Sequence, residues 1–135
     1  MVPCILVREL LHTAHFVVVE DEGTRIITRT RTAERFASLD EVTSAYDGLA
    51  RTFDGIRRSS YAQLVDVRLA PPRNDEAFET IVLRYQHRLY DEFRRVAVVV
   101  QTAAGMLQLR RFVTLYRPDA GLFTDLSEAT AFLRD

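Results

Sequence analysis

The most regular apolar stretch of the chain runs from Val96 to Val100 and contains no polar residue. It is too short for a helix and rich in β-branched residues, so it predicts a strand buried on both faces, as in the middle of a parallel sheet. Thr102 follows as an N-cap, and a helical pattern extends from Ala103 to Tyr116. A strand that leads directly into a helix is typical of an open α/β domain.

The whole pattern predicts the element order β-β-α-β-α-β-α-β-α. The strands are expected at 15–19, 24–32, 61–67, 96–100 and 121–124, and the helices at 39–53, 74–93, 103–116 and 125–133. We predict one open mixed α/β sheet, an N-terminal β-hairpin followed by parallel strands. Right-handed crossovers in sequential order place the helices mostly on one face. Residues 1–12 are expected to be an N-terminal arm or edge strand, and residues 13–135 the domain.

Composition limits the classes of function. One domain is expected from 135 residues, and the formal net charge of -1 gives no general attraction to nucleic acid or membranes. All 18 basic residues are arginine, which codon bias explains more simply than selection for bidentate contacts. No apolar stretch approaches the roughly 20 residues of a membrane span, and Cys4 has no disulfide partner in the chain. We expect a cytoplasmic protein that binds no nucleic acid and spans no membrane.

Residues that usually carry catalysis form no recognisable group in this chain. The three histidines, His12, His15 and His87, lack the spacing of a metal site. A Gly-x-Ser-x-Gly elbow and the glycine-rich nucleotide loops are both missing from the sequence. We predict no catalytic residue, no metal and no cofactor.

Three arginines, Arg25, Arg29 and Arg31, share one face of the second hairpin strand with Ile27. A basic row of this kind could meet phosphates. Acidic residues close in sequence offset its charge, and no aromatic residue is interleaved for base stacking. We interpret the row as edge-strand charge that prevents aggregation.

Polar residues gather where the strand at 61–67 ends. Asp66 stands at its carboxyl end, where open α/β sheets bind ligands, and Arg68, Arg73 and Asn74 follow in the loop. Asn74 is expected to cap the next helix, and Asp75 favours its positive end. These groups could hold a small anion. The structural alternative is that Asp66 pairs with an arginine or accepts loop amides and fixes the turn.

The turn from Thr102 to Gly105 is a second candidate anion site, because it offers small residues and free helix amides. It lacks the glycine pattern and the Gly-Lys-Ser/Thr ending of nucleotide-binding loops. The simpler interpretation is a strand-to-helix turn that needs small residues for close packing.

Three segments resemble the STAS fold of bacterial anti-sigma factor antagonists, and more narrowly the SpoIIAA-like group, which shares its architecture with Sec14-type lipid-binding domains. They are Leu64–Arg68, Phe93–Gln108 (FRRVAVVVQTAAGMLQ) and Leu122–Ala129 (LFTDLSEA). The resemblance in element order covers roughly residues 13–135.

The resemblance implies a domain that docks onto other proteins. In the antagonists, a Ser at the start of the helix after the Asp-ending strand is phosphorylated. The corresponding segment here, 71–76, contains no Ser or Thr, so that switch does not carry over. Asp75 and Glu76 could imitate a phosphorylated state, or they simply stabilise the helix dipole.

The leading hypothesis is a non-catalytic STAS-like interaction module in the bacterial cytoplasm. It would bind a regulatory protein, or itself, through the loops that carry the candidate residues Asp66, Arg68, Arg73, Asn74 and Asp75. The alternative is a carrier or sensor of a small apolar or anionic ligand, as the Sec14 architecture implies. Large aromatics such as Phe78, Tyr90 and Phe112 fit that ligand or an ordinary core.

Overall fold

A computed structural model describes residues 6–134 of the chain, and its sheet has the order β1-β2-β3-β4-β5-β6. β1 to β3 pair antiparallel, and β3 to β6 pair parallel. The strands are β1 Val7–His12, β2 Phe16–Asp21, β3 Ile26–Arg31, β4 Ala62–Asp66, β5 Val96–Val99 and β6 Gly121–Phe123. The predicted open mixed sheet is confirmed.

Helices cover the sheet unequally. They are α1 Leu39–Asp54, α2 Glu76–Leu83, α3 Gln86–Tyr90, α4 Ala103–Tyr116 and α5 Leu126–Arg134, with a short 3₁₀ turn at Arg58–Ser60. Strand side chains alternate between the two faces, so β3 sends Ile27 into the core below α1 to α4 and Ile26 into the core below α5. Four of these five helices lie on one face, as expected from the sequential strand order.

Two local details differ from the sequence predictions. The helix expected at 74–93 is divided into α2 and α3, with Arg84 and Tyr85 between them. Its cap is Asp75 rather than Asn74, because the Asp75 carboxylate accepts from the amide of Phe78 at 3.2 Å. The prediction that Asn74 caps this helix was wrong.

The cap predicted for α4 is confirmed. Thr102 Oγ1 accepts from the amide of Gly105 at 3.0 Å.

The row of arginines on β3 does not lie on an edge strand. β3 is paired on both sides, with β2 and with β4. Because Arg29 and Arg31 share the face of Ile27, they point under the helices, where they are only 5% and 8% exposed. The interpretation as solvent-exposed edge charge was therefore wrong for these two residues.

The edge strand next to β2 is β1, which occupies residues 7–12 of the segment predicted to be an arm or edge strand. Residues 1–5 of that segment lie outside the described residues.

Candidate functional site

A cavity of about 850 Å³ lies between the inner face of the sheet and helices α1, α2, α3 and α4. This volume falls in the range of small-molecule sites, about 300–1,000 Å³. It opens to solvent between the β4–α2 loop and the start of α4, where the lining residues Arg73, Gln101 and Thr102 are exposed. We call this opening the mouth (residues 67–73 and 101–105) and the wall formed by β3 with Tyr46, Gln86 and Tyr90 the interior.

Arg29 lies in the interior, where its side chain makes one hydrogen bond to the described residues. Its Nε donates to Gln63 Oε1 at 3.2 Å, and Gln63 Nε2 donates in turn to the carbonyl of Leu89 at 2.7 Å. The guanidinium carbon is 5.7 Å from the Phe53 ring centroid and 5.3 Å from that of Tyr90. Nη2 is fully enclosed and has no hydrogen-bond partner among the described residues. Gln63 therefore orients a cation whose outer nitrogens stay unpaired.

Arg31 stands two residues further along β3 on the same face. Its Nη1 donates to the carbonyl of Thr32 at 2.7 Å, and its guanidinium carbon lies 4.5 Å from the Phe36 ring centroid. Burial lowers the pKa of Arg31, against the opposing effects of Tyr46 and Glu34. A guanidinium with so high a starting pKa stays charged at neutral pH.

Tyr46 and Gln86 complete the interior wall. Burial raises the pKa of the Tyr46 phenol, an effect that Arg29 and Arg31 oppose, so the hydroxyl remains a neutral donor. Gln86 is 9% exposed, and its Oε1 is buried without a partner among the described residues. The interior thus combines two cations with neutral polar groups.

Neither interior arginine forms an ion pair with a carboxylate of residues 6–134. Of the side chains that line the cavity, only Glu79 carries a carboxylate. An uncompensated buried charge is costly, by several kcal/mol per ion even after relaxation. Aromatic faces recover part of that cost. The interior is therefore suited to an anion.

The mouth is arginine-rich as well, but its charges are paired. Arg68 Nε and Nη2 donate to the two oxygens of Asp66 at 3.0 and 2.8 Å, and the Arg68 amide donates to Asp66 Oδ1 at 3.1 Å. Burial acts to raise the pKa of Asp66, but the hydrogen bonds from Arg68 outweigh it and hold the pKa below its usual range. Arg73 Nε donates to Asp75 Oδ1 at 2.7 Å.

Only some of the candidate site residues predicted from the sequence line the cavity. Arg68, Arg73, Thr102 and Gly105 line the cavity mouth, whereas Asp66, Asn74 and Asp75 are absent from its lining. Asp66 fixes the turn through Arg68, and Asp75 caps α2. Sequence reasoning missed the interior arginines, although their shared face with the apolar Ile27 was a signal that they could point inward.

Comparison with known proteins identifies the fold. No family model matches the chain, and no curated protein matches it in sequence. It is similar to the crystal structure of an uncharacterised protein of the DUF3478 family from Shewanella loihica PV-4, which has a SpoIIAA-like fold. The TM-score is 0.59 at 14% identity, over 94% of this chain and 91% of that one. The chain therefore has a SpoIIAA-like fold, as the sequence resemblance implied.

Two further properties of residues 6–134 bear on partners. Their helices are too short or too polar for a bilayer crossing. Three or more His, Cys, Asp and Glu side chains do not come together there in a group able to hold a metal ion.

Proposed function

We propose that this domain binds a small organic anion with an apolar body in the cavity and works as a binding or sensing domain without catalysis. The observation that carries the proposal is the pair of buried arginines, Arg29 and Arg31, which line the cavity without a carboxylate partner among the described residues. The proposal develops the small-ligand alternative rather than the docking hypothesis. We place it in the bacterial cytoplasm, in keeping with the single cysteine and the STAS-like fold.

The lining also supports an apolar ligand body. Aromatic and aliphatic side chains from every wall surround the arginines, as in most small-molecule sites. They include Phe16, Phe36, Val65, Phe78, Val82, Leu109 and Phe112. The titratable side chains of this lining are arginines, two tyrosines and Glu79. This set contains no nucleophile with an adjacent base, so it favours binding over covalent catalysis.

Binding can be tested with thermal melts and calorimetry on the purified chain, using decanoate and 4-phenylbutanoate as probes. We expect at least one of them to raise the melting temperature, because a ligand that binds only the folded state stabilises it. Arg29→Met and Arg31→Met should each abolish the rise. Arg84→Met is the matched control, because Arg84 is exposed and does not line the cavity. No binding by the wild type, or full binding by Arg29→Met, would contradict the proposal.

A protein-docking role has one observation in its favour. Leu69, Leu107 and Leu115 are 63%, 65% and 72% exposed, and the first two flank the mouth. Exposed leucines favour self-association or a partner protein where they form one contiguous patch. Light scattering over a range of concentrations tests self-association, which Leu107→Asp combined with Leu115→Asp should weaken. A wild-type chain that stays monomeric at high concentration would exclude it.

A further inference from the structure

We propose that the ligand is a monocarboxylate that binds acid first, with its carboxylate beside Arg29 and Arg31 and its apolar body towards the mouth. This inference rests on the proposed function and adds to it the chemical class of the ligand and its orientation.

The aromatic surroundings of the interior arginines favour recognition of an acid through their N–H groups. The guanidinium carbon of Arg31 lies 4.5 Å from the Phe36 ring centroid, and that of Arg29 lies 5.3 Å from that of Tyr90. With aromatic rings this close, the N–H groups are the part of each guanidinium that can recognise an anion. A carboxylate matches the N–H edge of a guanidinium in the same plane, with two parallel hydrogen bonds.

The supply of donors argues against a phosphate in the interior. A terminal phosphate presents three charged oxygens, and phosphate sites usually satisfy them with backbone amides at helix N-termini or in nests. The backbone of β3 is already paired on both sides in the sheet. The cavity lining contains no serine and its one threonine, Thr102, lies at the mouth. The donors left in the interior are side-chain groups, the guanidiniums of Arg29 and Arg31 and the hydroxyls of Tyr46 and Tyr90, and they include no backbone amide of β3.

The orientation of the ligand follows from which arginines already have a carboxylate partner. An acid at the mouth would have to compete with Asp66 for Arg68 and with Asp75 for Arg73, each held at 2.8 Å or less. An acid in the interior meets two guanidiniums that have no such competitor in the described chain. Apolar residues at and near the mouth suit the ligand body: Val67, Ala70, Pro71, Phe78 and Leu109.

Three probes with one decyl chain test the class of ligand by calorimetry: decanoate, decyl phosphate and decanamide. We expect decanoate to bind best. Decyl phosphate should bind at least about tenfold more weakly, because the interior lacks the backbone amides that phosphate sites usually provide. Decanamide should bind more weakly still, since it offers the guanidiniums no charge. Equal or tighter binding of decyl phosphate overturns the carboxylate class.

Variants separate this inference from the proposed function. Arg29→Lys keeps the charge but loses the two-pronged edge, so we expect about a tenfold loss of affinity for decanoate. Arg73→Met should reduce the affinity for decanoate less than Arg29→Met does. If decyl phosphate binds tightly and needs Arg29, the cavity is an anion site of another class. If neither anion binds the wild type, the proposed function itself fails.

The orientation has its own readout, the fluorescent probe 11-(dansylamino)undecanoate, which carries its dansyl group at the end remote from the acid. Acid-first binding leaves the dansyl group at the mouth, where the neutral quencher acrylamide reaches it, and Arg29→Met should abolish binding. A bound dansyl group shielded from acrylamide, together with a larger loss in Arg73→Met than in Arg29→Met, would place the acid at the mouth and overturn the inference.

Discussion

The mouth and the interior of the cavity are both rich in arginine, but the arginines of the mouth are paired with carboxylates and those of the interior are not. At the mouth, Arg68 and Arg73 each form a local ion pair with an aspartate two residues away in the sequence. On β3 the residue two positions from Arg29 on one side is Ile27, and on the other it is Arg31. The interior arginines therefore depend on groups distant in sequence, or on a ligand.

This difference separates folding from binding. A locally paired arginine stabilises the turn that contains it and leaves little charge for a partner. An unpaired buried arginine destabilises the empty protein and remains available to an anion. Sites that sacrifice stability in this way are expected where binding is the function.

The most decisive test is Arg29→Met, set against Arg58→Met as a control. We expect the empty protein to become more stable, by about 1 kcal/mol, because the removal of a buried cation without a carboxylate partner outweighs the lost hydrogen bond to Gln63 Oε1. Urea unfolding measures the change, and binding of decanoate should be lost in the same variant.

Arg58 provides a control of opposite sign. Its guanidinium is buried near the same Phe53 ring as that of Arg29, at 6.0 Å, but it donates to Asp54 and to the carbonyls of Phe53 and Arg88. Arg58→Met should therefore destabilise, by about 2–4 kcal/mol, since those acceptors lose their donor. If Arg29→Met destabilises the protein as much as Arg58→Met does, Arg29 stabilises the fold as Arg58 does. The distinction between paired and unpaired buried arginines then fails.

The next effect concerns Gln63, which joins Arg29 to α3. Gln63→Leu leaves the Leu89 carbonyl and the Arg29 Nε–H without their partners, so we expect a loss of about 2 kcal/mol in the free energy of unfolding. Affinity for decanoate should fall as well, because Arg29 loses its orientation. Arg29→Met combined with Gln63→Leu should be less destabilised than Gln63→Leu alone. Additive effects would show that the two side chains are not coupled.

Sequence reasoning reached the mouth and missed the interior for a physical reason. Asp66, Arg68 and Arg73 lie within eight residues of one another, so the turn that joins them can be inferred locally. The environment of Arg29 depends on whether β3 is an edge strand, and that is decided by its parallel pairing with β4, more than 30 residues later. The alternating pattern identified β3 as a strand, but it contained no information about its second neighbour.

The fold shows the same limit. Local signals, such as the valines of β5 and the cap at Thr102, predicted its elements well. The break between α2 and α3 had no such signal, because 74–93 is continuous in its apolar stripe and holds neither Gly nor Pro. After the break, α3 still buries Leu89 and Tyr90 in the core.

At the mouth, we predict a smaller and pH-dependent effect for Asp66. Its pKa is lowered in the folded state, so its pairing with Arg68 stabilises fully above the unfolded value, about 3.9, and the stabilisation is lost as the pH falls through the folded value. Asp66→Asn should therefore cost about 1 kcal/mol at pH 7. The difference from wild type should shrink below about pH 4. A gap that persists at pH 2 would mean that the charge of Asp66 contributes nothing.

The smallest effect distinguishes two neighbours in the β4–α2 loop. Asp75→Ala removes the cap of α2 and the partner of Arg73, so the melting temperature should fall by about 2 °C. Asn74→Ala should change the melting temperature by less than half as much, because Asp75 and not Asn74 caps α2. Both variants should bind decanoate like the wild type, since neither side chain lines the cavity. Weaker binding in Asp75→Ala would show that releasing Arg73 at the mouth alters the interior, and the two regions could then no longer be treated as independent.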